Sequence, residues 1–279
     1  MTVSQRNTHV WGVLNVTPDS FSDGGLYENP RQAYAHAKAM LDAGADVIDV
    51  GGESTRPGAR PVGQETEIDR IIPIIHALAD AHVHVSVDTM HADVAARAVE
   101  AGAKTINDVS GGLNDPEILA VAARTGVDVV LMHWRGTSDV MDQLAEYRDV
   151  TQEVIAHLLE RKQAAMRAGV AEERIILDPG FGFAKNAEHN WQLLRDIDEW
   201  NTLGSRVLVG VSRKRFLAEC VADNSDGSTK DRDAATTAVS MFAAMHGVWA
   251  VRVHDVPSTV SALKVASRLH VSTKPWEIW

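Results

Sequence analysis

The chain has 279 residues, 45% of them hydrophobic and 5% aromatic, and a formal net charge of -11. Such a length can bury one large core, and barrels of alternating strand and helix run to about 250 residues as a single unit. The acidic balance argues against general binding to nucleic acid or to anionic membranes, and one cysteine, Cys220, excludes an internal disulfide and fits a reducing compartment.

No apolar run approaches the roughly 20 residues of a membrane span. The polar stretch from Met1 to Thr8 has no apolar signal core. A soluble, cytoplasmic protein is expected.

His9 to Asn15 reads as a first strand, followed by a long polar loop from Val16 to Asn29. Pro30 suits the first turn of a helix, which carries Ala33, Ala37, Met40 and Leu41 on one face and stops at Gly44. Ala45 to Val50 is the second strand and leads into Gly51-Gly52-Glu53-Ser54-Thr55-Arg56-Pro57-Gly58, a loop dense in breakers. A helix from Gln64 to Ala81 contains Pro73, which predicts a kink or a reset start. Val83 to Val87 is the third strand and ends at Asp88. Helix 92–101 stops at Gly102. A short fourth strand, Lys104 to Ile106, meets Asn107-Asp108.

Helix 116–125 ends at Gly126, and Val127 to Met132 is the fifth strand, ending at His133. The connection from Trp134 to Arg148 is long and polar and is expected to be mobile. A helix over 150–168 precedes Gly169. The sixth strand then runs Ile175-Ile176-Leu177 into Asp178 and a glycine-rich turn, Pro179-Gly180-Phe181-Gly182-Phe183. One helix is predicted over 187–203. Val207 to Val211 is the seventh strand and runs into Ser212-Arg213-Lys214. Helix 232–245, strand 248–253 and helix 256–269 complete the chain, with no period in the tail from His270 to Trp279. Eight apolar strands alternating with helices, with no composition break, predict one α/β domain, a (β/α)8 barrel. An open doubly wound sheet is the alternative, but no dinucleotide fingerprint follows the first strand.

In such a barrel the C-terminal strand ends and the loops after them build the active site. Those positions hold Asn15, Asp49 with Glu53, Asp88, Asn107 with Asp108, His133, Asp178, Ser212 with Lys214, and Arg252 with His254. Taken singly, each is an ordinary turn or capping residue. Together they form a pattern that turn chemistry does not explain. Asp88, Asn107 and Asp178 offer acceptors and an amide, which suit a flat ring with several N–H groups such as a pterin or a guanine-like edge. Lys214 can donate to a ring carbonyl or nitrogen. Arg252 and His254 are two apart on the eighth strand and so share a face. With Arg56 and the Asn15 amide they suit a phosphate-type anion.

Surface salt bridging is the plainer reading for Arg60 and Lys185. No Cys/His metal cluster, Ser-His-Asp set or nucleophile elbow is visible, and Cys220 lies in a helical region with no partner that would activate it. Mg²⁺ held by Asn15 and diphosphate oxygens fits the ion's preference for few protein ligands. These residues alone predict a barrel enzyme acting on a phosphorylated, nitrogen-rich ring.

From Val10 to Leu269 the chain resembles the dihydropteroate synthase family. The resemblance rests on Leu14 to Gly25 (LNVTPDSFSDGG), Asp49 to Gly58 (DVGGESTRPG), Val87-Asp88-Thr89, Ile106 to Gly112 (INDVSGG), Asp178 to Phe183 (DPGFGF), Ser212-Arg213-Lys214 and Arg252-Val253-His254, all in order. It implies condensation of 6-hydroxymethyl-7,8-dihydropterin diphosphate with 4-aminobenzoate, giving 7,8-dihydropteroate and diphosphate. It further implies that Asp88, Asn107 and Asp178 hold the pterin with Lys214, and that Asp49 and Met132 line the same pocket. Asn15, Arg252 and His254 would hold diphosphate and Mg²⁺. Thr55, Arg56, Pro57, Phe183 and Ser212 would shape the aminobenzoate site, where sulfonamides compete in this family. Phe21 and Asp23 would act from the first loop, and a homodimer through helices late in the chain is implied.

Two positions depart from the family pattern: Trp134 stands where many members have methionine, and Ala218 where glycine is usual. The rival readings are a pterin-binding methyltransferase domain and a non-catalytic pterin-binding homologue. Ser212-Arg213-Lys214, the two long loops and the Arg252/His254 pair argue against the first, and the retained Thr55-Arg56-Pro57 and Ser212-Arg213-Lys214 argue against the second.

Overall fold

The computed structural model describes residues 8–16, 29–53, 62–137, 140–221 and 229–269. The expected roles of Phe21, Asp23, Thr55, Arg56 and Pro57, and the tail from His270, lie outside these residues. Eight parallel strands, β1 (His9–Asn15), β2 (Val47–Gly51), β3 (Val85–Asp88), β4 (Thr105–Asp108), β5 (Asp128–Met132), β6 (Ile175–Asp178), β7 (Arg206–Val209) and β8 (Ala250–Val253), close in sequence order into a barrel. Around it lie α1 (Asn29–Asp42), α2 (Gln64–Asp80), α3 (Ala92–Glu100), α4 (Glu117–Thr125), α5 (Val150–Arg167), α6 (Ala187–Arg195), α7 (Ile197–Trp200), α8 (Asp233–Met245) and α9 (Val256–Leu269). This is the predicted (β/α)8 barrel.

Strand residues alternate between two environments, as the pleat requires. Val10, Leu14, Ile48, Val50, Val85, Val87, Ile106, Val129, Leu131, Leu177 and Val251 face the helices and join the large outer core. Trp11, Val47, Val130, Ile176, Leu208 and Ala250 form a separate apolar plug inside the barrel. Below the plug, Asp128 accepts from Arg206 (2.8 Å) and Arg174 (3.1 Å) and closes the N-terminal end. Above it, the inward positions at the ends of β1, β3, β4, β6 and β8 are polar, while β5 ends on Met132. The register sets Asp88 beside Asn107 and Met132 beside Asp178.

Three expectations change. α2 runs unbroken through Pro73, without resetting its start, and keeps Ile71, Ile74, Ile75 and Leu78 buried on one face. The helix expected over 187–203 breaks at Asp196, whose carboxylate is drawn to Thr151 of α5 (2.6 Å) and Gln192 (2.8 Å). A short helix and a 3-10 turn follow the break. The connection after β5 is tied down where it is described. Arg135 donates to the Glu146 carbonyl and to Glu153 and stacks on Tyr147, while Met141 is buried.

Candidate active site

The barrel mouth opens into a cavity of about 540 Å³, whose lining includes Asn15, Asp88, Phe183, Ser212, Lys214, Arg252 and His254. Beneath it lies an inner pocket of about 40 Å³ lined by Asp88, Asn107, Met132, Asp178, Phe183, Lys214 and Arg252 among others. The structure thus brings together residues from the ends of β1, β3, β4, β5, β6 and β8 with the loops after β6 and β7.

The floor is a charge network. Arg252 donates through Nε to Asp49 (2.6 Å) and through Nη2 to Asp88 (2.7 Å). Asn107 also donates to Asp49, at 3.0 Å. Asp49 is 0% exposed and stands behind Arg252 and Asn107, not among the residues that line the two cavities; its Oδ1 has no partner. Burial pushes Asp88 upward against the pull of Arg252, and it also raises Asp178. Asp178 accepts from the Gly180 amide at 2.7 Å, which fixes its carboxylate at the rim of the inner pocket.

Above the floor, the Lys214 ammonium sits 3.9 Å from the centroid of the Phe183 ring. The approach depends on Gly182, at φ +75°, because a Cβ there would lie 2.7 Å from Lys214 Cδ. Burial and the charge of Arg252 lower the Lys214 pKa to about 8, with Asp178 and Asp88 opposing. Ser212 Oγ lies 2.8 Å from His254 Nδ1 and accepts from the His254 amide at 3.1 Å. Asn15 lines the outer cavity, where a single carbonyl oxygen can join substrate oxygens and waters around a Mg²⁺ ion.

Two strand-end candidates face the other way. Asp108 points outward and accepts from Ser110 Oγ (2.7 Å) and the amides of Ser110 (2.8 Å) and Gly112 (2.6 Å), so it closes the following turn. His133 also lies outside the inner pocket, fully buried against His157 and Lys185.

The model of the family described as "Pterin binding enzyme" matches residues 11–254. The dihydropteroate synthase of Mycobacterium leprae is 48% identical over 267 residues, covering 94% of each chain. The chain belongs to the dihydropteroate synthase family. The structure of the Xanthomonas albilineans dihydropteroate synthase with 4-aminobenzoic acid matches with a TM-score of 0.88 at 42% identity, covering 96% of this chain and 94% of that one. A structure of the enzyme from that organism in complex with 7,8-dihydropteroate matches with a TM-score of 0.85 at 39% identity, covering 96% and 95%.

Sequence reasoning missed three features around this site. Lys185 is buried beneath the β6 loop and is not a surface salt-bridge partner. Arg213, in the turn after β7, adopts φ +60° and is anchored by a bidentate pair with Asp233 of α8 (2.8 Å each), which fixes the chain just before Lys214. Glu53, Glu67 and His91 come within 4.8 Å of one another beside the start of the β2 loop. A strand-end search could not find Glu67, because it lies on α2.

Proposed function

We propose that the cavity at the barrel mouth condenses 6-hydroxymethyl-7,8-dihydropterin diphosphate with 4-aminobenzoate through the following division of labour. The pterin's N–H edge pairs with Asp88, Asn107 and Asp178, and Lys214 donates to the ring from the side. Arg252 also lines the outer cavity beside His254 and Asn15, where it meets the diphosphate. The observation that carries this reading is one cavity lined both by the carboxylates at the ends of β3 and β6 and by the cations of Lys214 and Arg252.

The C–O bond between the methylene carbon and diphosphate breaks first, and the electron pair leaves with diphosphate. The resulting cation at the methylene carbon is stabilised by the buried carboxylates of Asp178 and Asp88. The aromatic amine nitrogen then attacks this carbon and gives up a proton to the released diphosphate or to solvent. The amine is already a nucleophile, so positioning and electrostatics supply the rate. Asn15 would hold a Mg²⁺ ion through its side-chain oxygen, and the ion would supply charge neutralisation at the diphosphate. Phe183, Ser212 and the stem of Lys214 wall the aminobenzoate side, where sulfonamides compete.

A homodimer is part of the proposal. Phe242, Met245, Val265 and Leu269 are exposed apolar residues on α8 and α9, and such a patch suits a partner. The single cysteine, Cys220, is free and exposed, which fits a cytoplasmic location. Among the described residues no helix is long and apolar enough to cross a membrane. The functional test is formation of dihydropteroate by the purified protein from the two substrates with Mg²⁺. Wild-type turnover that Asp178→Asn or Lys214→Ala abolishes supports the assignment, and turnover unchanged in both variants overturns it.

A further inference from the structure

The loop from Pro179 to Ala184 carries Phe183 into the cavity, yet it has few means of its own to hold its shape. Gly180 and Gly182 adopt φ +70° and +75°, and Ala184, which has a Cβ, adopts φ +47°. A non-glycine residue in that region is disfavoured and persists only where the surroundings enforce it. Here the enforcement comes from below. Lys185 is 5% exposed and donates through Nζ to the carbonyls of Gly180 (3.0 Å) and Phe183 (3.1 Å). The same nitrogen lies 2.9 Å from His133 Nδ1. Tyr147, from the loop after β5, donates to the Ala184 carbonyl at 3.0 Å, and the Gly182 amide donates to Asn190 at 2.7 Å. Burial drives the Lys185 amine well below its ordinary pKa, which suits a hydrogen-bond donor to carbonyls more than a charge offered to substrate.

We propose that Lys185 is a positioning residue for the amine substrate: by gripping the carbonyls of Gly180 and Phe183 it fixes the Phe183 ring against Lys214, and so sets the wall that 4-aminobenzoate meets. The proposal rests on the functional reading above. It separates the two substrates, because Phe183 walls the aminobenzoate side from the gripped loop while Asp88 and Asn107 hold the pterin from the strands themselves. Lys185 acts through Phe183 and touches no reacting atom.

The test is steady-state kinetics on the full chain, with KM measured separately for each substrate. Lys185→Met keeps the length and loses the donors. It should raise KM for 4-aminobenzoate about tenfold, a misplacement effect of modest size, with KM for the pterin diphosphate changed less than twofold. Tyr147→Phe removes one grip on the same loop from a part-buried position, so it folds even where Lys185→Met does not. It should shift the same constant in the same direction by a smaller factor. A double-mutant cycle with Phe183→Ala decides the route. If Lys185 works through the ring, Lys185→Met has no further effect once Phe183 is gone. Equal rises in both KM values, or full additivity with Phe183→Ala, overturn the assignment. A wild-type protein that makes no dihydropteroate overturns the functional reading, and this inference with it.

Discussion

Replacing Arg252 with methionine removes a cation that bridges two buried carboxylates. Its bonds to Asp49 and Asp88, at 2.6 and 2.7 Å, are short and charge-assisted, and the carboxylates are 0% and 9% exposed. Breaking a buried pair by deleting one partner typically costs about 3–5 kcal/mol, because the stranded charge stays desolvated. For a chain of this size that corresponds to a Tm drop of roughly 10 °C. The loss carries a pH signature. Burial already pushes Asp88 upward, and without Arg252 the smaller pull of Lys214 is left to oppose it among the described residues. A carboxyl whose folded pKa is raised contributes stability below its unfolded value of about 3.9 and loses it as pH rises through the folded value. The deficit of Arg252→Met should therefore be large at pH 8 and smaller at pH 5, read by thermal melts of variant and wild type. Adding Asp88→Asn should recover part of the loss at pH 8. A loss under about 1 kcal/mol that is the same at both pH values refutes the network.

Other expectations follow from neighbouring groups. The Lys214 pKa of about 8 predicts that kcat/KM falls as pH rises through that value, because the ammonium that donates to the ring and flanks Phe183 is lost. Lys214→Arg should move that limb to higher pH, and a wild-type profile flat to pH 9.5 would show that the Lys214 charge is not needed. Glu67 is buried on α2 with one oxygen unpartnered, and burial raises it from 4.5 to about 7. Ionising it costs at most about 3.5 kcal/mol. The wild type should thus lose stability between pH 5 and pH 8 in urea melts, and Glu67→Gln should flatten that slope; an unchanged slope removes Glu67 as its source. Arg252→Ala should weaken binding of the pterin diphosphate more than of free pterin by titration calorimetry, and equal losses count against the anion role.

The barrel was legible because the strands announce themselves as apolar runs ended by a polar residue and punctuated by glycine. The site was legible to the extent that strand parity is readable. Asn107 and Asp108 are adjacent, so a strand can present only one of them inward, and the register with Asp88 selects Asn107. His133 follows Met132 and falls on the outer side for the same reason. Neither choice can be made until the strand pairing is known. Lys185 was illegible for a different reason. A lysine after a glycine-rich turn reads as solvent-exposed, and only the closure of the β6 loop over His133 buries it. Arg213 looked like one more cation of its motif, yet its guanidinium is held by Asp233, twenty residues later. Residue type and spacing located the groups that meet substrate, and three-dimensional packing was needed to find the groups that hold them.

The most direct test of the account is diphosphate release by the purified protein given the dihydropterin diphosphate and Mg²⁺, with and without 4-aminobenzoate. The account predicts release that depends on the amine and matches dihydropteroate formed one for one. Tight binding of the pterin substrate with no amine-dependent release would contradict it.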